Sequence, residues 1–163
     1  MNATDFDLPG VSGKRHGPAS ARGPNGLVVM FICNHCPYVK AVIDRIVRDS
    51  KELQSHGIGS IAVMSNDPAD YPEDSFDNMK RVAREKNFPF PYVFDESQDV
   101  ARAYGAACTP DFFGFNSTLE LRYRGRIGDL RRELFEAMVQ VAKSGAEPKE
   151  QVASIGCSIK WKK

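Results

Sequence analysis

Residues 27–39 limit the possible fold of this chain more than any other stretch, because they join an uninterrupted apolar run to two cysteines and a proline. The run over 27–32 follows a Gly-Pro-Asn-Gly turn, which predicts a central strand covered on both faces. Pro37 predicts the start of a helix, since proline is favoured at the first helical position. The strand therefore delivers Cys33 and Cys36 to the beginning of a helix.

After Pro37, apolar side chains recur at helical spacing: Val39, Val42, Ile43, Ile46 and Val47. Gly57 predicts the end of this helix. Free backbone N–H groups and the positive end of the helix dipole stabilise a thiolate at such a position. We therefore expect reactive chemistry at the two cysteines.

The rest of the chain predicts further strands and helices. A second apolar strand over 58–64 closes a β-α-β unit, a surface helix begins after Pro72, and a short strand lies within 88–94. A short helix ending at Gly105 precedes an antiparallel hairpin, and a last helix ends near Gly145 with one apolar face: Leu130, Leu134, Phe135, Met138 and Val141. This order predicts an α/β protein with a mixed central β-sheet and helices on both faces.

Composition predicts one soluble domain over residues 1–163, with 1–26 as an N-terminal β extension and 146–163 as a C-terminal tail. The formal net charge of +1 gives no electrostatic reason to expect nucleic acid or an anionic membrane as a partner. No signal peptide or membrane-span pattern is visible, so a cytoplasmic protein is expected. No phosphate loop or dinucleotide fingerprint occurs, so no cofactor is expected.

The four cysteines are Cys33, Cys36, Cys108 and Cys157. In a cytoplasmic chain they indicate reduced, reactive or metal-binding thiols rather than a structural disulfide framework. A zinc site on the Cys-x-x-Cys pair could be completed by His35, His56, Cys108 or Cys157. No second Cys/His pair stands at ligand spacing, so we predict no metal.

Together, Cys33-x-x-Cys36 after a central strand, Thr109-Pro110 before the hairpin and the closing helix resemble the thioredoxin fold. The residues at 5–14 and the pair Tyr104-Gly105 resemble the alkyl hydroperoxide reductase/thiol-specific antioxidant (AhpC/TSA) branch of that superfamily. The stretches 31–39, 109–113 and 156–161 are similar to bacterial peroxiredoxin-like proteins that carry a Cys-x-x-Cys. This resemblance implies a cis Pro110 that faces the cysteine pair.

The sequence departs from the peroxiredoxin pattern around the peroxidatic cysteine. If Cys36 takes that place, Cys33 stands where those proteins have threonine, and Val29 stands where they have proline. Their arginine is replaced by the Thr109-Pro110 region. A peroxide would lack donors for its developing charge, so a fast peroxidase is not expected.

Two thiols three residues apart allow one to attack a substrate disulfide and the other to resolve the mixed disulfide. We expect Cys33, nearer solvent, to be the attacking thiolate and Cys36, in the first helical turn, to be the resolving thiol. His35 is expected to stabilise the reduced form by positive charge or a hydrogen bond, which makes the couple more oxidising. The alternative for His35 is a solvated loop residue.

We expect the substrate to contact Asn34, Thr109 and Pro110. Proline cannot donate to a β ladder, so the backbone beside Pro110 should be free to bind an extended substrate segment as an added strand. Cys108 is either a small buried hydrophobe or a third redox thiol. Cys157 is a possible C-terminal resolving thiol, but the course of the tail cannot be predicted.

The sequence therefore predicts a thiol–disulfide oxidoreductase that acts through Cys33 and Cys36 on protein or small-molecule thiols and disulfides. One alternative is a thiol-dependent antioxidant peroxidase that uses Cys36 on a peroxide. Another is a non-catalytic redox-sensing module. Monomer and homodimer remain equally open.

Overall fold

The structure is a computed structural model that describes residues 2–127, 132–149 and 151–162. Its elements in chain order are β1 (Leu8–Pro9), β2 (Arg15–His16), α1 (Pro18–Ala21), β3 (Gly26–Phe31), α2 (Pro37–Ser55), β4 (Ile58–Met64), a 3₁₀ turn (Pro72–Asp74), α3 (Phe76–Glu85), β5 (Tyr92–Phe94), α4 (Asp99–Tyr104), β6 (Cys108–Thr109), β7 (Asp111–Phe115), β8 (Leu121–Gly125), α5 (Glu133–Ser144) and β9 (Cys157–Ser158).

The central sheet has five strands in the order β5-β4-β3-β7-β8. Strand β3 lies in the middle, parallel to β4 and antiparallel to β7, and β7 pairs antiparallel with β8. Every residue of β3 is buried, as an uninterrupted apolar run requires of a strand covered on both faces. The predicted mixed sheet and the antiparallel hairpin are confirmed.

Helices cover both faces of this sheet. Side chains alternate along a strand, so Val28 and Met30 pack with α2, α3 and α5 on one face. Val29 and Phe31 pack with α4 and the N-terminal segment on the other face. The predicted arrangement of layers is therefore confirmed.

Glycines end the helices where the sequence predicted it. Helix α2 begins at Pro37, and Gly57 follows its end with a φ of 75°. Gly105 and Gly145 end α4 and α5 in the same left-handed region, which glycine enters without steric cost. Leu130, which the sequence assigned to the apolar face of the last helix, lies outside the described residues.

The N-terminal extension lies along β5 and β4. Strands β1 and β2 form a short hairpin, and Val11 N–H donates to the Tyr92 carbonyl at 3.0 Å. The sequence predicted a β extension over residues 1–26, but this segment also contains helix α1. A helix of four residues is too short to show an apolar period, so the pattern could not reveal it.

Among the described residues, no helix has both the length and the apolar character needed to span a bilayer.

Gly59 of β4 offers a test of how the extension docks. A Cβ at Gly59 would lie 1.9 Å from the Ala21 carbonyl oxygen, so Gly59→Ala must push α1 off the sheet. We expect a loss of about 1–3 kcal/mol in the free energy of unfolding, measured by urea titration.

The adjacent Ser60→Ala is the matched control. The buried Ser60 hydroxyl has no hydrogen-bond partner within the described part of the chain. Its removal should leave stability unchanged or raise it. Equal midpoints for the two variants would contradict the close docking of α1.

Candidate active site

The two site cysteines lie where the central strand gives way to the longest helix. Cys33 lies just beyond the end of β3, and Cys36 is the N-cap of α2, with Pro37 at the first helical position. Cys33 is 3% exposed and Cys36 is 0% exposed. Cys33 is therefore only marginally nearer solvent than Cys36, because segments from elsewhere in the chain cover both cysteines.

Thr109 brings a loop from the other side of the site against both thiols. Its Oγ1 lies 3.5 Å from the Cys33 sulfur, and its carbonyl oxygen lies 3.5 Å from the Cys36 sulfur. The Thr109-Pro110 peptide is cis, which confirms the geometry implied by the resemblance. Thr109 itself is buried, so its side chain and carbonyl meet the thiols rather than solvent.

The groups around Cys36 favour negative charge on its sulfur. The Cys33 side chain is the largest cause that lowers its pKa, and the Cys157 side chain and the backbone of Val39 and Cys157 act in the same direction. Together they lower the pKa of Cys36 from 9.0 to about 4, although burial opposes the shift. When it is protonated, the Cys36 thiol can donate to the Thr109 carbonyl oxygen.

The pKa of Cys33 moves the other way. The neighbouring Cys36 side chain, burial and the negative charge of Asp74 each raise the pKa of Cys33. The sequence predicted the thiolate on Cys33, and this stays a prediction, whereas the directions of the two pKa shifts favour Cys36.

His35 is held by a buried carboxylate. Its Nδ1 donates to Asp74 Oδ2 at 2.5 Å, and its ring stacks on Tyr71 with a centroid separation of 5.2 Å. The side chain is 20% exposed, so the alternative of a solvated loop histidine is wrong. Within the described residues His35 donates to neither cysteine, so its effect on the thiols must pass through Asp74.

Asn34 is used inside the protein. Its N–H donates to Asp74 Oδ1 at 2.7 Å, its side-chain amide donates to the Glu73 carbonyl, and its side-chain oxygen accepts from the Tyr92 hydroxyl. Burial and the charge of Asp74 raise the pKa of Tyr92, which keeps this hydroxyl protonated. Because its amide is already satisfied, Asn34 holds the loop in place instead of offering the expected substrate contact.

The sequence analysis missed Asp74, which lies in the 3₁₀ turn and is fully buried. Asn66, beyond the end of β4, also donates to it, at 2.9 Å. Parallel strands β3 and β4 end at the same edge of the sheet, so residues following β4 were candidates for this site. Nothing in the acidic 67–74 loop distinguished Asp74 from its neighbours.

Three side chains could hold a metal ion: ligand atoms of Cys33, His35 and Asp74 lie within 4.8 Å of one another. Thiolate, imidazole and carboxylate are the ligand types that zinc takes. The sequence predicted no metal and did not consider Asp74. His56 cannot join this set, because it caps the far end of α2, a helix about 28 Å long.

The C-terminal tail occupies the edge expected for substrate. Strand β9 pairs antiparallel with β6, with Cys157 opposite Thr109 and Ser158 opposite Cys108. The prediction of free backbone groups beside Pro110 is therefore wrong, because the chain's own tail fills that edge. The tail lacks an apolar period, so only the tertiary structure revealed its course.

The two remaining cysteines differ in their contacts. Cys108 directs its thiol at the Pro110 carbonyl, 4.0 Å away, and burial raises its pKa to about 11. Cys157 packs against the cluster that contains Cys33 and Cys36, and the neighbouring Cys36 side chain raises the pKa of Cys157.

An apolar groove opens beside the pair, with a volume of about 270 Å³. Its walls come from the start of α2, the cis proline, the segment after β8 and the tail: Tyr38, Ala41, Val42, Pro110, Arg126, Ile127 and Ile155. Tyr38 is 50% exposed and Ile155 is 64% exposed. Pro110 therefore lies where a substrate could approach, although Thr109 is enclosed.

A Cys-x-x-Cys at a helix N-terminus, opposite a cis-proline loop on a mixed sheet, defines a thioredoxin-like protein. The fold is shared with a thioredoxin-family thiol:disulfide interchange protein from Chlorobium tepidum, at 20% identity and a TM-score of 0.69 over 87% of this chain and 95% of that one. The AhpC/TSA family model matches residues 1–128. The chain therefore belongs to the AhpC/TSA family.

Two more similar structures span almost the whole chain. An uncharacterized conserved protein from Geobacillus kaustophilus is 42% identical, with a TM-score of 0.94 over 99% of this chain and 91% of that one. A hypothetical protein from Sinorhizobium meliloti 1021 is 34% identical, with a TM-score of 0.92 over 99% and 93%. Comparison with curated proteins found no match.

The thiolate assignment can be tested by titrating the ultraviolet absorbance of the reduced protein. We expect a midpoint near pH 4 that is lost in Cys36→Ser, because Cys36 carries the charge. Cys33→Ala should raise the midpoint, since it removes a thiol donor. The oxidised protein is the blank, and loss of the signal in Cys33→Ala would restore the thiolate to Cys33.

Asp74 and His35 should shift the reduction potential of the Cys33–Cys36 pair in opposite directions. Asp74→Asn removes a negative charge that opposes the thiolate and should raise the potential by about 10–30 mV. His35→Ala removes one of the donors that offset the negative charge of Asp74 and should lower the potential. Equilibration against glutathione measures both shifts.

Glu73→Gln is the matched control, because it makes the same charge change at an exposed position. Its potential should equal that of the unmodified protein. Shifts of the same sign in the Asp74 and His35 variants would contradict an electrostatic coupling through Asp74.

Proposed function

We propose that this protein is a thiol–disulfide oxidoreductase that cycles Cys33 and Cys36 between dithiol and disulfide on protein or small-molecule thiols and disulfides. The observation that carries the proposal is the geometry of the pair: both thiols lie at the start of α2 and both contact Thr109 beside the cis proline. Each thiol shifts the pKa of the other. A thiolate with a thiol beside it has both a nucleophile and a resolving group in place.

The exchange has two steps. In the first, the Cys36 thiolate attacks one sulfur of a substrate disulfide, the substrate S–S bond breaks, and one substrate thiolate leaves. In the second, Cys33 gives up its proton and attacks the Cys36 sulfur, and the second substrate thiolate leaves and takes the proton. The protein loses two electrons and gains the Cys33–Cys36 disulfide, while the substrate disulfide becomes one thiolate and one thiol.

Access to the pair is the structural requirement for this reaction. Both sulfurs are buried, so a substrate disulfide reaches them only when the covering segments separate. The apolar groove beside Pro110 is the opening nearest the cis-proline loop, and its exposed Tyr38 and Ile155 suit an apolar flank on the substrate. We also propose a cytoplasmic location, because a Cys-x-x-Cys pair with two further cysteines is not the pattern of a structural disulfide framework.

A thiol-dependent peroxidase is the second candidate, and the low pKa of Cys36 is the observation that favours it. The hydrogen-bond donors near the site argue against a peroxidase. Thr109 Oγ1 is bound to Cys33, and the guanidinium groups of Arg124 and Arg126 are paired with Asp111 and Glu133. Few groups remain to stabilise charge on a peroxide oxygen.

Turnover with a disulfide substrate tests the main proposal. With dithiothreitol as donor, the protein should reduce a protein disulfide repeatedly, and Cys36→Ser should abolish turnover. Cys33→Ser should slow it about tenfold or more, because resolution fails after attack. Cys108→Ser is the matched control and should retain full activity.

The rate of reaction with hydrogen peroxide and the presence or absence of turnover distinguish the oxidoreductase from a peroxidase and from a redox sensor. A peroxide reaction close to that of free cysteine supports disulfide exchange, whereas a much faster reaction lost in Cys36→Ser would make the protein a peroxidase. Formation of the Cys33–Cys36 disulfide without turnover would make it a redox sensor. Chelator in all assays removes any metal bound by Cys33, His35 and Asp74.

A further inference from the structure

The C-terminal tail brings a third thiol to the redox pair. Strand β9 places Cys157 opposite Thr109, the residue whose carbonyl lies 3.5 Å from the Cys36 sulfur. The Cys157 side chain packs against the buried cluster that contains Cys33 and Cys36. The tail therefore adds a third thiol beside the pair, and this thiol also lowers the pKa of Cys36.

Contacts on both sides of Cys157 hold it in this position. Before it, the Ser154 hydroxyl lies 2.8 Å from Asp111 Oδ1 and 2.7 Å from the Gly125 carbonyl. After it, Lys160 N–H donates to the Asn66 side chain at 2.9 Å, and Lys162 N–H donates to the Gln98 side chain at 2.9 Å. Four hydrogen-bond contacts of three tail residues therefore hold the Cys157 thiol in a defined place.

Gly156 makes the close approach possible. A Cβ at this position would lie 2.0 Å from the Thr109 carbonyl oxygen and 3.1 Å from the Pro110 nitrogen. Only a residue without a side chain lets the tail backbone pass so near the cis-proline loop. The Gly-Cys pair at 156–157 therefore seats the third thiol against the site.

We infer that Cys157 is a third redox thiol, which forms a disulfide with Cys36 in alternation with Cys33. The inference rests on the proposed exchange at Cys36 and deepens it. It assigns a resolving role to a residue outside the Cys-x-x-Cys motif.

The chemistry needs only an external disulfide as oxidant. Once Cys36 carries a mixed disulfide with an external thiol, Cys157 loses its proton and attacks the Cys36 sulfur. The Cys36–Cys157 bond forms, and the external thiol leaves with the proton. Cys33 then attacks Cys36 in the same way, which forms the Cys33–Cys36 disulfide and returns Cys157 to a thiol. Each exchange breaks one S–S bond and makes one.

The test follows the fate of a mixed disulfide at Cys36 when Cys33 is absent. Full-length Cys33→Ser protein is reduced, treated with glutathione disulfide and quenched by alkylation at set times. Trypsin then releases peptides 23–40 and 150–160, which a Cys36–Cys157 disulfide joins. We expect this cross-link to form, and glutathione to leave Cys36 about tenfold faster than in Cys33→Ser/Cys157→Ser.

Cys33→Ser/Cys108→Ser is the matched control. Cys108 lies on β6, opposite the tail strand, but points its thiol at Pro110, so its loss should leave the cross-link intact. Glutathione that stays on Cys36 in Cys33→Ser, with Cys157 still open to alkylation, overturns the inference.

Stepwise oxidation of the wild-type protein gives a second measurement that needs no variant. The joined peptides are expected as a transient before the Cys33–Cys36 disulfide accumulates. Their absence at every time point overturns the third-thiol role and leaves disulfide turnover by the pair intact. Loss of turnover with the cross-link present would instead overturn the proposed function.

Discussion

The set of groups that surrounds the Cys36 sulfur is the constraint on which this site depends. Burying a thiolate is costly, and groups from three parts of the chain offset that cost by lowering the pKa of Cys36. They come from the end of β3, the first turn of α2 and the tail strand β9. The central sheet, the long helix and the tail must therefore all be in place before the charge is stable.

A second buried charge acts on the other thiol. Asp74 lies at the same edge of the sheet and accepts hydrogen bonds from Asn34, His35 and Asn66. The neighbouring Cys36 side chain and burial raise the pKa of Cys33, and the negative charge of Asp74 adds to this shift. The same carboxylate fixes the intervening Asn34-His35 loop.

The tail turns a two-thiol motif into a three-thiol cluster. In a thioredoxin-like protein the strand before the cis proline offers a backbone edge, and here β9 fills it with Cys157 opposite Thr109. The chain thus places its own thiol where a substrate segment would otherwise pair. The membership of the AhpC/TSA family rests on residues 1–128, so this tail lies beyond the part that defines the family.

The sequence by itself determined the layers of the fold and the place of the redox pair. Apolar runs, helical periods, Pro37 and the three helix-ending glycines are local signals, and local geometry alone places Cys33 and Cys36 at the start of α2. The thiolate position, the role of Asn34 and the partner of His35 were decided only in three dimensions. These depend on Asp74 and Cys157, which lie about 40 and 120 residues away in the sequence and meet the pair only because the sheet brings strand ends and the tail together.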